Sequence, residues 1–316
     1  MRALLRNRKV QILLNAGFGL GLLGVALLSV RHFVGGGWPL QGADPILVVS
    51  AALLFLIAYA FKAWGWQRLF HEHERPAAGA LAFAGGAACL GGVAMPGRVD
   101  DAIRMACVKR YPGTRVGLGA LALSLIVLGL LDNAALAPLA SVAMADSKSW
   151  AVRAGFGIVA VAGVLAAVVV VMIPAFARMR RVKRHRIGRW LSEHTLCRKE
   201  QLAALLLISV SWALRGTAVF LLLNAVALRG TFPLALGFLC ASAASAAVPI
   251  GPAGAAMQAG AGATLLVLSG VPKPDAIAFS VAAQALVVLT GAAVVLLIAA
   301  WHVGMRVPRI WKLAKT

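Results

Sequence analysis

Acidic residues are scarce in this chain, which has 10 Asp and Glu against 31 Lys and Arg among its 316 residues. Charged residues of both signs make up only 13% of the sequence, whereas 61% of it is hydrophobic. A soluble domain needs a polar shell, and this composition does not supply one. The sequence therefore excludes a soluble α/β domain and predicts an all-α protein that crosses a membrane several times.

Motifs of soluble enzymes and of metal proteins are also missing. No nucleotide-binding loop and no Ser/His/Asp set is present, so any enzyme activity would have to be intramembrane. The cysteines are scattered and form no C-x-x-C pair, which indicates small packing residues. His71 and His73 have no third ligand cluster near them in the sequence, so we expect neither a metal nor a cofactor. The four cysteines are Cys89, Cys107, Cys197 and Cys240.

The net charge of +21 would suggest nucleic acid as the partner of a soluble protein. Here the cations cluster in short segments that flank apolar runs. That pattern is typical of segments retained on the cytoplasmic side beside anionic lipid, so we expect membrane lipids as partners and no nucleic acid.

Six apolar segments have about the 20 residues that a helix needs to cross a bilayer. Two further apolar regions are rich in Ala, Gly and Ser, as are helices that approach closely inside a bundle. The spans are residues 10–31, 45–63, 116–140, 152–177, 202–228 and 276–303, and the further regions are 77–95 and 232–271. Pro and Gly residues interrupt both regions: Pro96 and Gly97 in the first, and Pro249, Gly251, Pro252 and Gly254 in the second.

The distribution of cations predicts the topology. Four segments are basic: the one before residue 10, the first connector (Lys62, Arg68 and Arg75), the central connector 178–199 and the tail. The connectors 32–44, 141–151 and 272–275 are nearly neutral. The positive-inside rule then places both termini in the cytoplasm. It also requires 77–114 to begin and end inside, and 232–271 to begin and end outside.

Each of these two regions would then be a re-entrant hairpin of two half-depth helices. The order span, span, hairpin, span occurs in residues 1–150 and again, inverted, in 151–316. Inverted repeats with broken helices are typical of secondary transporters. The alternative is eight ordinary spans, with 77–95 and 233–250 crossing fully.

The stretch "MPGRVDDAIR" from Met95 to Arg104 brings charge into the first predicted hairpin. Asp100 and Asp101 fall in the first turn of a helix, where acids are favoured, and Arg104 is three and four residues further on. One interpretation is a simple ion pair on the helix surface. The other is that Arg98, Arg104 and the free amides of the helix start bind an anion such as a lipid phosphate.

Polar residues inside the predicted spans are functional candidates by default. Asp132 lies about midway along span 116–140 and Arg215 lies similarly in span 202–228, although both could be close enough to the interface to snorkel. Gln258 and Gln284 are the strongly polar side chains of their segments. Either could bind a headgroup or form a bond between helices.

The motif of Pro96, Gly97, Arg98, Asp101 and Arg104, with Lys109 and Arg110 following, resembles a signature of one family. It is similar to Pro-Gly-Arg-x-Gly-Glu-x-x-Arg in the membrane-embedded flippase domain of bacterial lysylphosphatidylglycerol synthases, and Leu130-Leu131-Asp132 matches that family's Leu-Leu-Asp. The chain departs from the family at Leu128-Gly129, where an acid and an arginine are usual. It also has Gln258 and Gln284 about where a glutamate and an arginine are expected.

The resemblance implies a protein of a bacterial plasma membrane that performs translocation without the soluble aminoacyl-transfer domain. We therefore expect a flippase that moves a phospholipid, an isoprenoid-linked lipid or a hopanoid-type lipid between leaflets by alternating access. A second hypothesis is an accessory lipid-binding subunit that holds a separate synthase or glycosyltransferase. A third is an intramembrane lipid-modifying transferase.

Overall fold

The computed structural model describes residues 42–94, 99–178, 198–228, 230–246 and 254–313. Within these ranges the chain forms nine α-helices, a short 3₁₀ helix at Glu72–Glu74, and no β-strand. The α-helices are α1 (Pro45–Gln67), α2 (Ala78–Ala94), α3 (Val99–Arg110), α4 (Leu118–Asp146), α5 (Trp150–Arg178), α6 (Arg198–Ala225), α7 (Phe232–Ala246), α8 (Gly254–Leu268) and α9 (Lys273–Leu313).

Five helices are long and apolar enough to cross a membrane: α1, α4, α5, α6 and α9. They coincide with five of the six predicted spans, while the predicted span 10–31 lies outside the described residues. The observed helices extend beyond most of the predicted boundaries, and α1 continues to Gln67. Hydropathy locates only the apolar part of a helix, whereas hydrogen bonding continues into its polar ends.

Local sequence determines where α1 begins and where α6 ends. The Asp44 carboxylate accepts a hydrogen bond from the Ile46 amide at 2.8 Å, and Pro45 occupies the first turn, where its missing N–H costs nothing. The Asp44 amide donates to the Ala225 carbonyl at 3.0 Å, which joins the start of α1 to the end of α6. Beyond α6, Ala227 has a positive φ of 56°, the left-handed conformation that ends many helices.

Two pairs of shorter helices occupy the regions that carry the Pro/Gly breaks. α2 and α3 have 17 and 12 residues, and α7 and α8 have 15 each. At a rise of about 1.5 Å per residue, these helices are roughly 18–26 Å long, less than the hydrocarbon thickness of about 30 Å. Pro96, Gly97, Pro249, Gly251 and Pro252 lie outside the described residues, and Gly254 is the first residue of α8.

Helix packing follows a pattern that occurs twice. α2 packs on α3, on α1 and on α9, while α7 packs on α8, on α6 and on α4. α1 and α6 pack along each other, and α9 contacts α1 as α4 contacts α6. Each of these contacts thus has a counterpart in the other set of helices, and the buried side chains of both sets form one hydrophobic core. α5 packs mainly on α4, and exposes Ile158, Val161 and Leu165, as a lipid-facing helix does.

Candidate functional site

An ion pair lies among the long apolar helices. Lys62 of α1 donates from Nζ to both carboxylate oxygens of Asp132 of α4, at 2.9 and 2.8 Å. The two side chains are mostly buried, with exposed fractions of 18% and 20%. Asp132 is about midway along α4. An ion pair at such a position is costly to desolvate and is found mainly where function requires it.

α6 supplies two further side chains to this pair. Trp212 donates from Nε1 to Oδ1 of Asp132 at 2.8 Å, and its ring lies 5.8 Å from Nζ of Lys62. The Arg215 guanidinium carbon lies 5.2 Å from the Trp212 ring centroid and 5.5 Å from that of Tyr59. These distances permit cation–π attraction. We call Lys62, Asp132, Trp212, Arg215 and Tyr59 the polar centre.

Part of the Arg215 guanidinium is buried without a hydrogen-bond partner. Its Nε is inaccessible to solvent and bonds to none of the described residues. A buried N–H without a partner is destabilising unless a ligand or water satisfies it. The N–H on Nε of Arg215 therefore stays available for an oxyanion.

Arg104 of α3 lies beside the polar centre. Its charge acts on Lys62 and on Tyr59. Its own guanidinium bonds to Asp101 at 2.8 Å and approaches Asp100 at 3.5 Å, as the sequence spacing predicts. Both acids are more exposed than Arg104, whose exposed fraction is 23%. They therefore hold the arginine in place from its outer side, and Arg104 adds a third cation to Lys62 and Arg215.

Small residues bring α2 and α9 close to the polar centre. Cys89 of α2 interacts with the Tyr59 side chain and with the Val287 carbonyl of α9, at 3.7 Å from Sγ. A Cβ added to Gly291 of α9 would lie 3.2 Å from the Tyr59 hydroxyl. Elements of both halves therefore surround the polar centre: α1, α2 and α4 from the first, and α6 and α9 from the second.

The sequence predicts Lys62 in a cytoplasmic connector, and this prediction is wrong because Lys62 lies within α1. The α1 helix continues past Lys62 for more than a turn, and the lysine points to Asp132 instead of to solvent. In the sequence, Asp132 and Arg215 are separate candidates, whereas the structure brings them together. One signal was present in the sequence, because Trp212 is the one tryptophan of eight that falls away from a predicted span end.

The other predicted site residues lie in different surroundings. Lys109 donates to the Val116 carbonyl at 2.7 Å, so it closes the loop after α3, and Arg110 ends that helix. Gln258 accepts a hydrogen bond from Ser242 through its backbone carbonyl, which links α8 to α7. Gln284 is half-buried in α9. Arg98 lies outside the described residues.

The polar centre has the composition of an anion site with an internal counter-charge. Lys62 and Arg215 lie close to the Asp132 carboxylate, the charge of Arg104 acts on Lys62, and the ion pair holds Lys62 in position. No group of three His, Cys, Asp or Glu side chains suited to a metal ion occurs in the part of the chain that the structure describes. The side chains of the polar centre are suited to charge recognition, hydrogen bonding and proton exchange.

Comparison with known families gives one match. The family model described as the lysylphosphatidylglycerol synthase TM region matches residues 12–302, nearly the whole chain. No curated protein matches the chain, and no solved structure matches it.

Proposed function

Because the chain belongs to the lysylphosphatidylglycerol synthase TM family, we propose that it moves a lipid with a phosphate-bearing headgroup between the leaflets of a membrane. Family membership and five long apolar helices make it a multi-pass membrane protein with a lipid-related role. Translocation is the step that we add. In this proposal the family match and the geometry of the polar centre both favour a phosphate-bearing headgroup as the substrate.

The polar centre is the observation that carries the proposal. A lipid phosphate needs cations and N–H donors at the depth where its headgroup crosses, since a bare anion is strongly unfavourable in hydrocarbon. Lys62, Arg104 and Arg215 supply three cations, and the unsatisfied Nε of Arg215 supplies a donor. In the proposed bound state, the phosphate takes the edge of Arg215 and competes with Asp132 for Lys62.

Alternating access gives the headgroup its path. We assign residues 1–150 and 151–316 to two inverted repeats, with α2/α3 and α7/α8 as re-entrant hairpins. The short helices and the packing contacts that occur once in each half support this assignment. The polar centre lies where the halves meet, so a rocking motion of one half against the other would expose it to each leaflet in turn.

The proposal distinguishes transport from the two other hypotheses. A transferase would modify the lipid, and an accessory subunit would require its synthase or glycosyltransferase. A transporter changes only the leaflet in which the lipid resides. The purified chain alone should therefore exchange a lipid that is chemically unchanged afterwards.

The test uses the purified protein in liposomes that contain a trace of a phospholipid with a fluorescent acyl chain. Dithionite added outside quenches only the label in the outer leaflet, so loss of the protected inner fraction reports exchange. We expect exchange with the wild type, and at least about a tenfold loss in Arg215→Gln and Arg104→Ala, since a charge-assisted bond contributes about 1.5–3 kcal/mol.

Arg153→Gln is the matched control. Among the described residues, the exposed side chain of Arg153 bonds to the Ser147 carbonyl near the start of α5, so exchange should stay within about twofold of the wild type. A labelled glycolipid without phosphate controls for headgroup chemistry and should exchange slowly. The proposal fails if no phosphate-bearing lipid exchanges faster than in protein-free liposomes, or if Arg215→Gln and Arg153→Gln behave alike.

A further inference from the structure

A second polar feature lies at the end of the bundle where α1 ends. It is a cavity of about 20 Å³ enclosed by the segment after α1 and by parts of α4, α5 and α6. Four polar side chains line it: His71, Glu74, Ser124 and Gln201. The distribution of basic segments predicts that this end of the bundle is cytoplasmic.

Two buried atoms at this cavity have no hydrogen-bond partner among the described residues. They are Nε2 of His71 and Oε1 of Gln201, and Gln201 is only 4% exposed. Leaving such an atom unsatisfied costs about 1–3 kcal/mol. A water molecule needs about 10–15 Å³ on this measure of volume, and polar partners. The cavity has enough volume and enough polar groups to hold about one or two water molecules.

The cavity lies on the same helices as the polar centre. Ser124 precedes Asp132 by eight residues on α4, and Gln201 precedes Trp212 by eleven on α6. At about 1.5 Å per residue, the cavity is roughly 12–17 Å from the ion pair along these helices. Between them Trp66, one turn beyond Lys62 on α1, donates from Nε1 to Oγ of Ser124 at 3.0 Å. This hydrogen bond joins the wall of the cavity to the helix that carries Lys62.

We propose that the cavity is the proton entrance of the polar centre, and that a proton and the anionic headgroup bind there together. This inference rests on the proposed function. A proton from the water of the cavity passes to a carboxylate oxygen of Asp132, which becomes neutral. The Lys62 ammonium keeps its charge and turns to the headgroup phosphate. When the headgroup leaves, Asp132 releases the proton and the ion pair forms again.

Charge conservation in a low-dielectric site is the physical reason for coupling. An anion that takes Lys62 away from Asp132 adds a negative charge beside a carboxylate that has lost its ion-pair partner, which is unfavourable where water is scarce. A proton that enters with the anion cancels this charge, so that the net charge of the polar centre is the same before and after binding. The substrate class that fits is thus an anionic headgroup accompanied by a proton.

The charged groups that face the pair come from three helices. Lys62 and Arg215 face Asp132, and Arg104 and Arg215 face Lys62. α7, which also packs on α4, contains no charged residue, and α5 has charged residues only near its ends, at Arg153 and Arg178. Asp132 is therefore the acid nearest to Lys62 and the group that a proton must reach.

The first test measures lipid exchange in liposomes with and without a pH gradient, together with proton entry reported by a trapped pH-sensitive dye. In the wild type, acid on the side of the cavity should speed exchange about tenfold, and protons should enter with the lipid. Gln201→Leu removes the polar lining at similar volume, so its ratio of rates with and without the gradient should fall to about one. Leu202→Gln is the matched control, since Leu202 is exposed on the same helix; it should keep the wild-type ratio.

A thiol-accessibility measurement tests the cavity even if Gln201→Leu fails to fold. In a background without the native cysteines, Val127→Cys on the cavity wall should react with a small water-soluble thiol reagent. Leu128→Cys, at the neighbouring position, should be protected from the reagent, because Leu128 is 2% exposed and does not line the cavity. Equal protection of both positions would show a dry cavity and overturn the proposal.

The outcomes separate this inference from the proposed function. Exchange that proceeds at the same rate with and without a pH gradient overturns proton coupling and leaves lipid transport standing. A gradient effect that survives in Gln201→Leu overturns the cavity as the entrance. Absence of exchange with every phosphate-bearing lipid, under every gradient, overturns the proposed function itself.

Discussion

At the scale of single residues, the interaction between Lys62 and Asp132 dominates the energetics of the polar centre. Each charge is stable among apolar helices only because the other is 2.8 Å away, and Trp212 supplies a further donor. When one partner of a buried pair is removed, the other is left uncompensated, which costs more than the loss of the whole pair.

Lys62→Met and Asp132→Asn should therefore each destabilise the protein by about 2–3 kcal/mol. This is less than is typical for a fully buried ion pair, because both side chains are partly exposed. The double variant should recover most of this loss, since no unpaired charge remains. Equilibrium unfolding in detergent micelles measures the effect. Additive losses in the double variant would show that the two side chains do not act as a pair.

Trp212→Phe should test the hydrogen bond to Asp132 while it keeps an aromatic ring beside Arg215. We expect a loss of about 2 kcal/mol, because the acceptor is charged, and a marked decrease of lipid exchange. Trp64→Phe is the matched control on α1, since Trp64 is 45% exposed. If both variants unfold at the same denaturant concentration as the wild type, the bond contributes nothing to stability.

At this scale the sequence singles out Asp132, Arg104 and Arg215 as candidates, but not Lys62. An acid or an arginine within an apolar run is conspicuous, whereas Lys62 stands near the end of its run and resembles an ordinary interfacial cation. Which cation pairs with Asp132 depends on how α1, α4 and α6 pack, and one sequence does not show that packing. The i,i+3 and i,i+4 pairs of Arg104 were predictable because one helix determines them.

At the scale of helices, close approach through glycine determines how the α2/α3 pair contacts the second half. A Cβ added at Gly86 of α2 would lie 2.7 Å from the Gly291 carbonyl oxygen of α9, whereas one added at Gly92 has no atom of the described residues within 4 Å. The two glycines are less than two turns apart on one helix. Alanine substitutions at these two positions therefore distinguish the effect of packing on α9 from the effect of helix propensity.

Gly86→Ala should destabilise the protein by about 1–3 kcal/mol, since the backbone of α9 must move away. Gly92→Ala should leave stability unchanged or raise it by up to about 1 kcal/mol, because alanine favours the helix. Thermal unfolding in detergent gives both values. Equal effects of the two substitutions would contradict the packing of α2 on α9.

The positions of the helices could be predicted well, and their ends less well. Hydropathy located α1, α4, α5, α6 and α9 because each presents a long apolar run. Pro and Gly predict interruptions between α2 and α3 and between α7 and α8, since neither residue continues a helix well. This stays a prediction, because the residues between these helices lie outside the described ranges. The extension of α1 to Gln67 was missed because its last turn is amphipathic, and amphipathic ends carry no hydropathy signal.

At the scale of the whole molecule, the account requires the two hairpins to enter from opposite sides. His73 and Arg115, on either side of the α2/α3 pair, are exposed, as are Thr231 and Lys273 around the α7/α8 pair. In intact cells, a membrane-impermeant thiol reagent should fail to label His73→Cys and Arg115→Cys and should label Thr231→Cys and Lys273→Cys. If His73→Cys and Arg115→Cys label from opposite sides, α2 and α3 do not form a re-entrant hairpin.

The most direct measurement of the central claim is native mass spectrometry of the lipid that stays bound to the purified protein. The wild type and Arg153→Gln should both retain a lipid whose mass shows a phosphate group. Arg215→Gln should retain several-fold less, because it loses the donor that is left without a partner in the polar centre. Equal retention of the same lipid by Arg215→Gln and Arg153→Gln, or retention only of lipids without phosphate, would contradict the account.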